Sequence, residues 1–422
     1  MIFNNSKFNS HWPTKALNEL GVFSRGKSKH RPRNDKRLFE NGTIPLIQTG
    51  EVKQANIFIN SHSSNYNDFG LAQSKLWPKG TLCITIAANI AETSILGYDM
   101  CFPDSIVGFN ADGDECSEVF MHYIFSYIRE SIQSRIQGSI QDNININYLT
   151  NLKFKIPEKK ELKRIENTLF NIDAKIEVNN KINQELEAMA KTIYDYWFVQ
   201  FDFPDANGKP YKSSGGNMVY HEEVKREIPV GWEVKELDEI IEIKRGKLVT
   251  AKTADLDGKY KVVSAGIDYS YLHSEYNRDK NTITVSGSGA NAGFINFWRE
   301  RIFANDCTTV RGKSDEETLV ILQFLKLRQE YILNQARGSA QPHVYPKDLQ
   351  SLKILISNVN LFEKYGKLVL PFNDRIAVNE KQNQKLAELR DWLLPMLMNG
   401  QVTVGEAKEK LGMVAEESIK YE

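Results

Sequence analysis

The sequence lacks the residue patterns of several familiar protein classes. Its four cysteines have no CxxC spacing and its seven histidines form no HExxH motif, so neither a disulfide framework nor a metal site is indicated. No apolar run approaches the ~18–20 residues of a membrane-spanning helix. The start, MIFNNSKFNS, has no basic segment followed by an apolar core, so we expect no signal peptide. These absences favour a cytoplasmic protein with reduced thiols.

Net charge and catalytic motifs are also missing. The 54 basic and 54 acidic residues cancel, which neither supports nor excludes nucleic acid, because binding needs a local basic surface. Neither NPPY nor DPPY, the motif of amino-methyltransferases, occurs. The glycine-rich segment at 287–293, GSGANAG, lacks the Lys-Ser/Thr of a phosphate-binding loop, so a tight turn or hairpin is the better interpretation.

A long amphipathic helix occurs twice in this chain. In residues 158–200, seam positions recur at alternating steps of three and four residues, as in a coiled coil. These positions are Leu162, Ile165, Leu169, Ile172, Ile176, Asn179, Asn183, Leu186, Ala190, Ile193 and Trp197. The same steps recur 200 residues later, at Phe362, Tyr365, Val369, Phe372, Ile376, Asn379, Asn383, Leu386, Arg390, Leu393 and Leu397.

The asparagines stand at matching places in the two seams. Either the seam drifts and they face solvent, or they fix the helix register, or they contact docked subunits. Their recurrence favours a shared role. We predict helix pairing or subunit docking by Ile176, Asn179, Asn183, Leu186, Ile376, Asn379, Asn383 and Leu386.

The regions outside the helices repeat as well. Residues 12–27 align with 232–247 at an offset of 220, and residues 138–156 align with 338–356 at an offset of 200. The expected segments are a first globular domain (1–157), a first spacer helix (158–200), a linker (201–229), a second globular domain (230–358), a second spacer helix (359–400) and a tail (401–422). A restart or kink is expected at Pro371 in the second helix.

Each apolar seam must be buried, and the other helix is its nearest matching partner. We therefore expect an α+β fold of two similar mixed α/β domains, each followed by a long helix. The helices should pack as an antiparallel coiled coil with pseudo-twofold symmetry. A helix of ~40 residues spans ~60 Å, and duplex DNA repeats its groove faces every ~34 Å. Two similar but non-identical domains on such a rod suit a split, asymmetric DNA target.

Both domains contain residue types that bind DNA. Basic side chains neutralise phosphates, whereas Arg, Asn, Gln and Ser donate and accept hydrogen bonds at base edges. Our DNA-binding candidates are Arg25, Lys27, Lys29, Arg31, Arg33, Lys36, Arg37, Asn89, Arg135, Gln137, Gln141, Arg245, Lys247, Lys252, Ser286, Ser288, Asn291, Arg337, Gln341 and His343. Two alternatives stay open: residues 25–37 also fit a solvated loop, and Gln141 and Gln341 also fit a structural turn.

Specific segments make the chain resemble the specificity subunit of type I restriction–modification systems. They are IPVGWEVKELDEIIEIKRGK (228–247), FDFPDANGKPYKSSGG (201–216), the pair DAKIEVNNKINQELE and DRIAVNEKQNQKLAE, and two GS-x-Q motifs. The resemblance implies two target-recognition domains, each reading one part of a split DNA sequence in a host-defence complex. Because recognition domains vary widely in that family, it locates them without assigning base contacts.

The resemblance also implies partners. Two methyltransferase subunits would dock on the helices and use S-adenosylmethionine to methylate adenine at N6, and restriction/motor subunits would use ATP and Mg²⁺. The chain itself would bind no cofactor and catalyse nothing. A self-contained modification or restriction enzyme and a scaffold without a DNA role are the alternative functions.

Overall fold

The structure, a computed structural model, describes residues 2–113, 115–137, 144–255, 257–337, 342–357 and 360–405, with the side chains of 135–137 and 337 excepted. The chain divides into two compact units. Unit 1 comprises Met1–Asn179 with Lys381–Glu422, and unit 2 comprises Asn180–Glu380. Both units therefore contain one globular domain and a part of each long helix. No helix among the described residues is both long and apolar enough to cross a membrane.

Unit 1 is built mainly from short strands. Its strands are β1 (Thr14–Ala16), β2 (Gly21–Arg25), β3 (Ile44–Leu46), β4 (Phe58–Ile59), β5 (Ser64–Tyr66), β6 (Leu76–Trp77), β7 (Leu82–Thr85), β8 (Thr93–Leu96), β9 (Met100–Cys101), β10 (Ile106–Ala111) and β11 (Lys153–Lys155). Its helices are α1 (Thr49–Gln54), α2 (Asp68–Gln73), α3 (Glu118–Gln137) and α4 (Ile146–Thr150), followed by the start of α5 (Lys159–Tyr194).

The strands of unit 1 form three sheets. The largest has the order β2-β10-β7-β8-β4, the second β5-β3-β9-β6, and β1 pairs with β11 alone. The apolar strand β7 is buried along its whole length, and α3 covers it with the buried residues Phe120, Ile124 and Ile128. The same core cluster continues into Leu162 of α5, so the helix seam and the domain share one core.

Unit 2 repeats this plan. Its strands are β12 (Met218–His221), β13 (Arg226–Pro229), β14 (Glu233–Glu236), β15 (Glu242–Arg245), β16 (Tyr260–Val263), β17 (Tyr271–His273), β18 (Thr282–Ser286), β19 (Ile295–Trp298), β20 (Ile302–Ala304), β21 (Cys307–Arg311) and β22 (Lys353–Ile356). Its helices are α6 (Asp315–Lys326), α7 (Gln329–Arg337), α8 (Pro346–Gln350) and part of α9 (Leu361–Met398).

The main sheet and the two-stranded sheet of unit 2 repeat those of unit 1, except that no strand in the described part of unit 2 takes the place of β4. The order β15-β21-β18-β19 corresponds to β2-β10-β7-β8, and β14 pairs with β22 as β1 pairs with β11. The register also agrees, since Arg25 pairs with Val107 and Arg245 pairs with Thr308. Offsets of 220 and 201 relate these positions. The two similar α/β domains expected from the sequence are confirmed.

The two long helices run antiparallel within each unit. In unit 1, Arg390 of α9 contacts Asp173 of α5, and Asn383 contacts Asn179. In unit 2, the Tyr365 hydroxyl donates to the Ala190 carbonyl oxygen at 2.9 Å, and Asn379 contacts Asn183. Rising numbers on one helix thus meet falling numbers on the other, which confirms the antiparallel pairing. All the seam positions are buried or half-buried.

Three regions differ from the expectation in detail. Residues 201–229 form a packed part of unit 2, because they contain the β12–β13 hairpin and bury Phe201 and Phe203 in its core. The helix α9 continues through Pro371 without a restart. The helix α5 ends in one turn of π-helix, Asp195–Val199.

Candidate DNA-binding face

The basic loop after β2 is fixed by main-chain hydrogen bonds to the connection between β9 and β10. The Gly26 N–H donates to the Ile106 carbonyl oxygen at 2.8 Å, and the Lys27 N–H donates to the Phe102 carbonyl oxygen at 3.2 Å. A Cβ atom on Gly26 would lie 2.2 Å from the Pro103 carbonyl oxygen. Only glycine fits this close approach, so the residue anchors the basic loop to one end of the sheet.

The loop after β15 has the same anchor in unit 2. The Gly246 N–H donates to the Cys307 carbonyl oxygen at 2.9 Å, and the Lys247 N–H donates to the Ala304 carbonyl oxygen at 2.9 Å. A Cβ on Gly246 would lie 1.9 Å from the Asn305 carbonyl oxygen. The paired residues Gly26 and Gly246, identified in the sequence repeat, therefore hold equivalent loops.

In each unit a second loop, which follows β7 or β18, is hydrogen-bonded to the same connection that anchors the first loop. In unit 1 the Ile86 N–H donates to the Ser105 carbonyl oxygen at 3.0 Å, and in unit 2 the Gly287 N–H donates to the Asp306 carbonyl oxygen at 3.4 Å. A third segment, just before α4 in unit 1 and α8 in unit 2, is bound to this second loop. In unit 1 the Ile144 N–H donates to the Ile86 carbonyl oxygen at 3.0 Å. Its equivalent bond in unit 2 joins the Val344 N–H to the Gly287 carbonyl oxygen at 3.1 Å.

Three candidate segments therefore meet in each unit at the end of the largest sheet. We call this surface the loop face. In unit 1 it comprises residues 25–37, 86–92 and 144–145, and in unit 2 residues 245–252, 287–293 and 342–345. Most of the predicted DNA-binding residues lie in these segments, although the sequence places them far apart.

Two carboxylates form ion pairs with arginines of the basic loop of unit 1, one from within the loop and one from outside it. Asp35 accepts from Arg37 at 2.7 Å, and the hydrogen bond from this guanidinium lowers the pKa of the Asp35 carboxyl. Asp104, from the connection before β10, accepts from Arg33 at 2.6 Å and lies 3.8 Å from Arg31. The side chains of Arg31, Arg33 and Arg37 thus have intramolecular partners.

Three lysines of the same loop keep their charge unpaired. Among the described residues, no carboxylate lies within salt-bridge distance of Lys27, Lys29 or Lys36. Lys29 and Lys36 are exposed and Lys27 is half-buried. These three ammonium groups are the strongest candidates for phosphate contacts in unit 1.

The loop face of unit 2 is less basic. Arg245, Lys247 and Lys252 are exposed, and no carboxylate in the described part of the chain pairs with them. The Arg245 carbonyl oxygen accepts from Arg278 at 3.0 Å. The side chain of Leu248 between them is 80% exposed. The two faces thus share an architecture and differ in charge.

The predicted polar residues of unit 2 have different surroundings. Ser286 is buried in β18, where its hydroxyl donates to the Gly266 carbonyl oxygen at 3.2 Å, and this burial argues against a base contact. The Ser288 hydroxyl donates to Asp306 at 2.6 Å. Asn291 ends the short 3-10 helix in the β18–β19 turn. His343 is exposed and forms a β-bridge with Ser288.

Other predicted contacts fall near α3 or outside the described residues. Asn89 lies in the β7–β8 turn, where its side-chain oxygen is 3.4 Å from the Lys53 ammonium. Arg135, Gln137 and Arg337 lie in helices, but their side chains are outside the described set. Gln141 and Gln341 are outside the described residues altogether.

Some residues on or beside the loop face were not predicted. Lys53 reaches Asn89 from α1, and Tyr345 stacks on His343 with ring centroids 5.8 Å apart. Asp104 was missed because it is 71 residues from Arg33 in the chain. For Tyr345, the one sequence feature that could have indicated its place is that it closely follows the second GS-x-Q motif.

The seam asparagines pair with each other across the helices. In unit 1 the Asn179 amide donates to Asn383 and to Gln382, each at 2.8 Å. In unit 2 the Asn379 amide donates to Asn183 at 2.8 Å. Asn179 and Asn379 are almost fully buried, so they do not face solvent. Cross-helix pairing supports the register role, because a shifted helix would leave buried amides without partners.

Apolar residues flank these amides in each unit. Leu386 is buried in the core of unit 1, where half-buried Ile176 packs against it. In unit 2, Ile376 is buried and Leu186 is half-buried. The described residues contain no group of three or more His, Cys, Asp or Glu side chains suited to a metal ion. All four cysteines are buried free thiols.

Comparison with known proteins identifies a family whose model matches most of the chain. The family model of the type I restriction modification DNA specificity domain matches the chain twice, over residues 9–188 and 229–388. In sequence the chain is similar to the specificity subunit of the MjaIX type I restriction enzyme of Methanocaldococcus jannaschii, with 24% identity over 425 residues and 95% of each chain covered.

Two further relatives agree with it. The HindI specificity subunit of Haemophilus influenzae is 22% identical over 324 residues, which cover 60% of this chain and 70% of that protein. The crystal structure of the type I restriction-modification S subunit of M. genitalium has a TM-score of 0.57 at 19% identity, and the alignment covers 94% of this chain and 99% of that one. The last likeness is one of fold.

Proposed function

We propose, because this chain belongs to the type I restriction modification DNA specificity domain family, that its two loop faces read the two halves of a split DNA target. As a DNA specificity subunit the chain is a recognition component rather than a catalytic one. The observation that supports the split target is the repetition of the loop face. Two faces of one architecture but unequal charge suit two different half-sites in an asymmetric sequence.

The partners in this proposal are a DNA duplex and the other subunits of the complex. Two methyltransferase subunits dock on the α5–α9 pair, and restriction/motor subunits join them in the full assembly. S-adenosylmethionine, ATP and Mg²⁺ belong to those subunits. The paired asparagines keep the two helices in register, so that the helices set the number of base pairs between the half-sites. Since its DNA target lies there, the chain acts in the cytoplasm.

The loop face of unit 1 contacts phosphates through Lys27, Lys29 and Lys36 in this proposal. Each ion pair with a phosphate contributes about 0.9 to the slope of log K against log salt concentration. Replacing the three lysines by alanine should lower that slope by roughly 2.7 and weaken binding to all sequences alike. Replacing Arg31 and Arg33 should have a smaller effect, because Asp104 already pairs with both.

The experiment uses the full chain assembled with its methyltransferase subunits. DNA binding is measured from 50 to 200 mM salt, and methylated adenines are mapped by sequencing. The matched control is Lys79→Ala, an exposed lysine outside the loop face. A wild-type slope in the triple variant would remove this loop from the DNA contacts. Methylation without a split motif would refute the recognition role, and methylation by the chain alone would favour a self-contained enzyme.

A further inference from the structure

The outer edge of β11 in unit 1 is covered by the beginning of the chain. The Phe3 N–H donates to the Lys153 carbonyl oxygen at 3.1 Å, and Ile2 forms a parallel bridge to Lys153. The Asn4 side chain then pairs with the main chain of Lys155, donating to its carbonyl oxygen and accepting from its N–H, both at 2.8 Å. Residues 2–4 thus act as a third strand beside β1 and β11.

The equivalent edge of β22 in unit 2 is open. The register is the same, since Val234 pairs with Leu355 as Thr14 pairs with Lys155. Lys353 and Leu355 therefore direct main-chain groups away from β14, as Lys153 and Lys155 do from β1. No described residue makes a hydrogen bond to the outward groups of Lys353 and Leu355.

The chain cannot cover this edge as it does in unit 1. At the offset of 220, Val224 stands where Asn4 stands in unit 1, and valine has no side-chain amide to pair with a strand. Glu223, the neighbouring residue, reaches only the Lys353 ammonium, at 3.2 Å. The open edge is thus a specific difference between two otherwise matching sheets.

A groove of about 630 Å³ runs along the open edge. Five consecutive residues, 351–355, line it, which indicates that the strand edge and not one face of the strand forms its floor. Aromatic side chains line its other sides, namely Tyr194, Phe198, Phe324 and Tyr331. Strand edges with free N–H and C=O groups bind extended peptides, and side-chain pockets beside the edge select among them.

Two arginines give this groove a positive charge. Arg226 donates to the Val199 carbonyl oxygen at 3.0 Å and lies over the Phe201 ring, and Arg328 lies 3.7 Å from the centre of the Phe324 ring. No carboxylate of the described residues pairs with either guanidinium. Burial lowers the pKa of both guanidinium groups, which means that their charged forms are poorly solvated. An anionic ligand in the groove would offset this desolvation.

We propose that the outer edge of β22 binds an extended, acidic segment of the methyltransferase subunit by strand addition. Main-chain hydrogen bonds to Lys353 and Leu355 would hold the segment, as residues 2–4 are held in unit 1. A carboxylate of the segment would pair with Arg226 and Arg328, and its apolar side chains would enter the aromatic groove. This inference rests on the proposed function for the identity of the partner and adds a docking site outside the helix seam.

Charge reversal tests the electrostatic part of the site. Arg328→Glu and Arg226→Glu should each weaken binding of the purified full chain to its methyltransferase subunit about tenfold or more, because each places a negative charge opposite the incoming carboxylate. Arg245→Glu on the loop face is the matched control, and it should weaken DNA binding while leaving subunit binding unchanged. Titration calorimetry or surface plasmon resonance measures the subunit affinities.

A photo-crosslinking residue at Leu355 tests the occupant itself in the assembled complex. We expect a crosslink to a methyltransferase segment that contains Asp or Glu, and loss of that crosslink in Arg328→Glu. Unchanged subunit affinity in both charge reversals, or a crosslink to DNA or to a basic segment, would overturn the inference and leave the proposed function standing. A wild-type chain that binds no methyltransferase subunit would overturn both.

Discussion

Arg390 is the one charged residue in either helix seam, and its replacement provides a quantitative test of the helix packing. In unit 1 its guanidinium donates to Asp173 of α5 at 2.8 Å, and the Tyr123 hydroxyl of α3 donates to the other oxygen of that carboxylate at 2.7 Å. The Asp173 side chain is 2% exposed and that of Arg390 is 28% exposed. The three residues therefore join both long helices to the domain.

The expected loss in Arg390→Met follows from this burial. Methionine preserves the apolar packing but leaves the Asp173 carboxylate buried with only the tyrosine hydroxyl. Breaking a buried ion pair by removing one partner costs about 3–5 kcal/mol, and the partial exposure of Arg390 places the value near 3. At roughly 2–4 °C per kcal/mol for a unit of this size, Tm should fall by about 6–12 °C.

The double variant Asp173→Asn/Arg390→Met separates charge burial from lost contacts. Because no uncompensated charge remains in it, most of the stability lost in the single variant should return. Thermal and urea unfolding followed by circular dichroism measure all the variants. Equal destabilisation of the single and double variants would refute the account, since the loss would then come from packing and not from a stranded carboxylate.

Three further changes have defined outcomes. Burial lowers the pKa of His122 to about 4. Between pH 6.5 and 4 the unfolded state therefore binds a proton that the folded state does not, and the unfolding free energy should fall by up to about 3 kcal/mol over that range. His122→Gln should flatten this part of the pH profile of stability. Gly246→Ala should disturb the loop face by about 1–3 kcal/mol and weaken DNA binding, whereas Gly50→Ala, with no atom within 4 Å of the added Cβ, should be neutral or slightly stabilising in thermal unfolding. A heptad inserted at matched points of both α5 and α9 should lengthen the gap between methylated half-sites by about three base pairs. The same insertion in one helix alone should break the asparagine pairs and prevent assembly. An unchanged gap in the double insertion would show that the helices do not set the spacing between the half-sites.

The helices could be predicted from the sequence because their signal is local. A step of three and four residues is enough to identify the seam, and the repeated asparagines indicated that the two seams belong together. The pairing itself then followed from burial. Even Arg390, which breaks the apolar pattern, lies on the predicted face, although no local pattern links it to Asp173, which is 217 residues away.

The loop faces could be predicted only in part. The basic run was visible, but Asp104 neutralises part of it from a distant segment, and this depends on how β9 and β10 are connected. Ser286 was predicted to contact DNA, yet it is the last, buried residue of β18. Strand ends and registers are set by long-range partners, which no local pattern contains.

The anchors of the loop faces also bear on how these domains change during evolution. Every anchoring bond described for Gly26, Gly246, Ile86 and Gly287 joins two main-chain groups. Main-chain groups are common to all residue types, so these anchors tolerate substitutions at most positions of the face. Gly26 and Gly246 are constrained by close packing, and Gly289 and Gly293 by their positive φ. In the proposed function, a lineage can then acquire a new DNA target through surface substitutions on these faces, with little cost in folding.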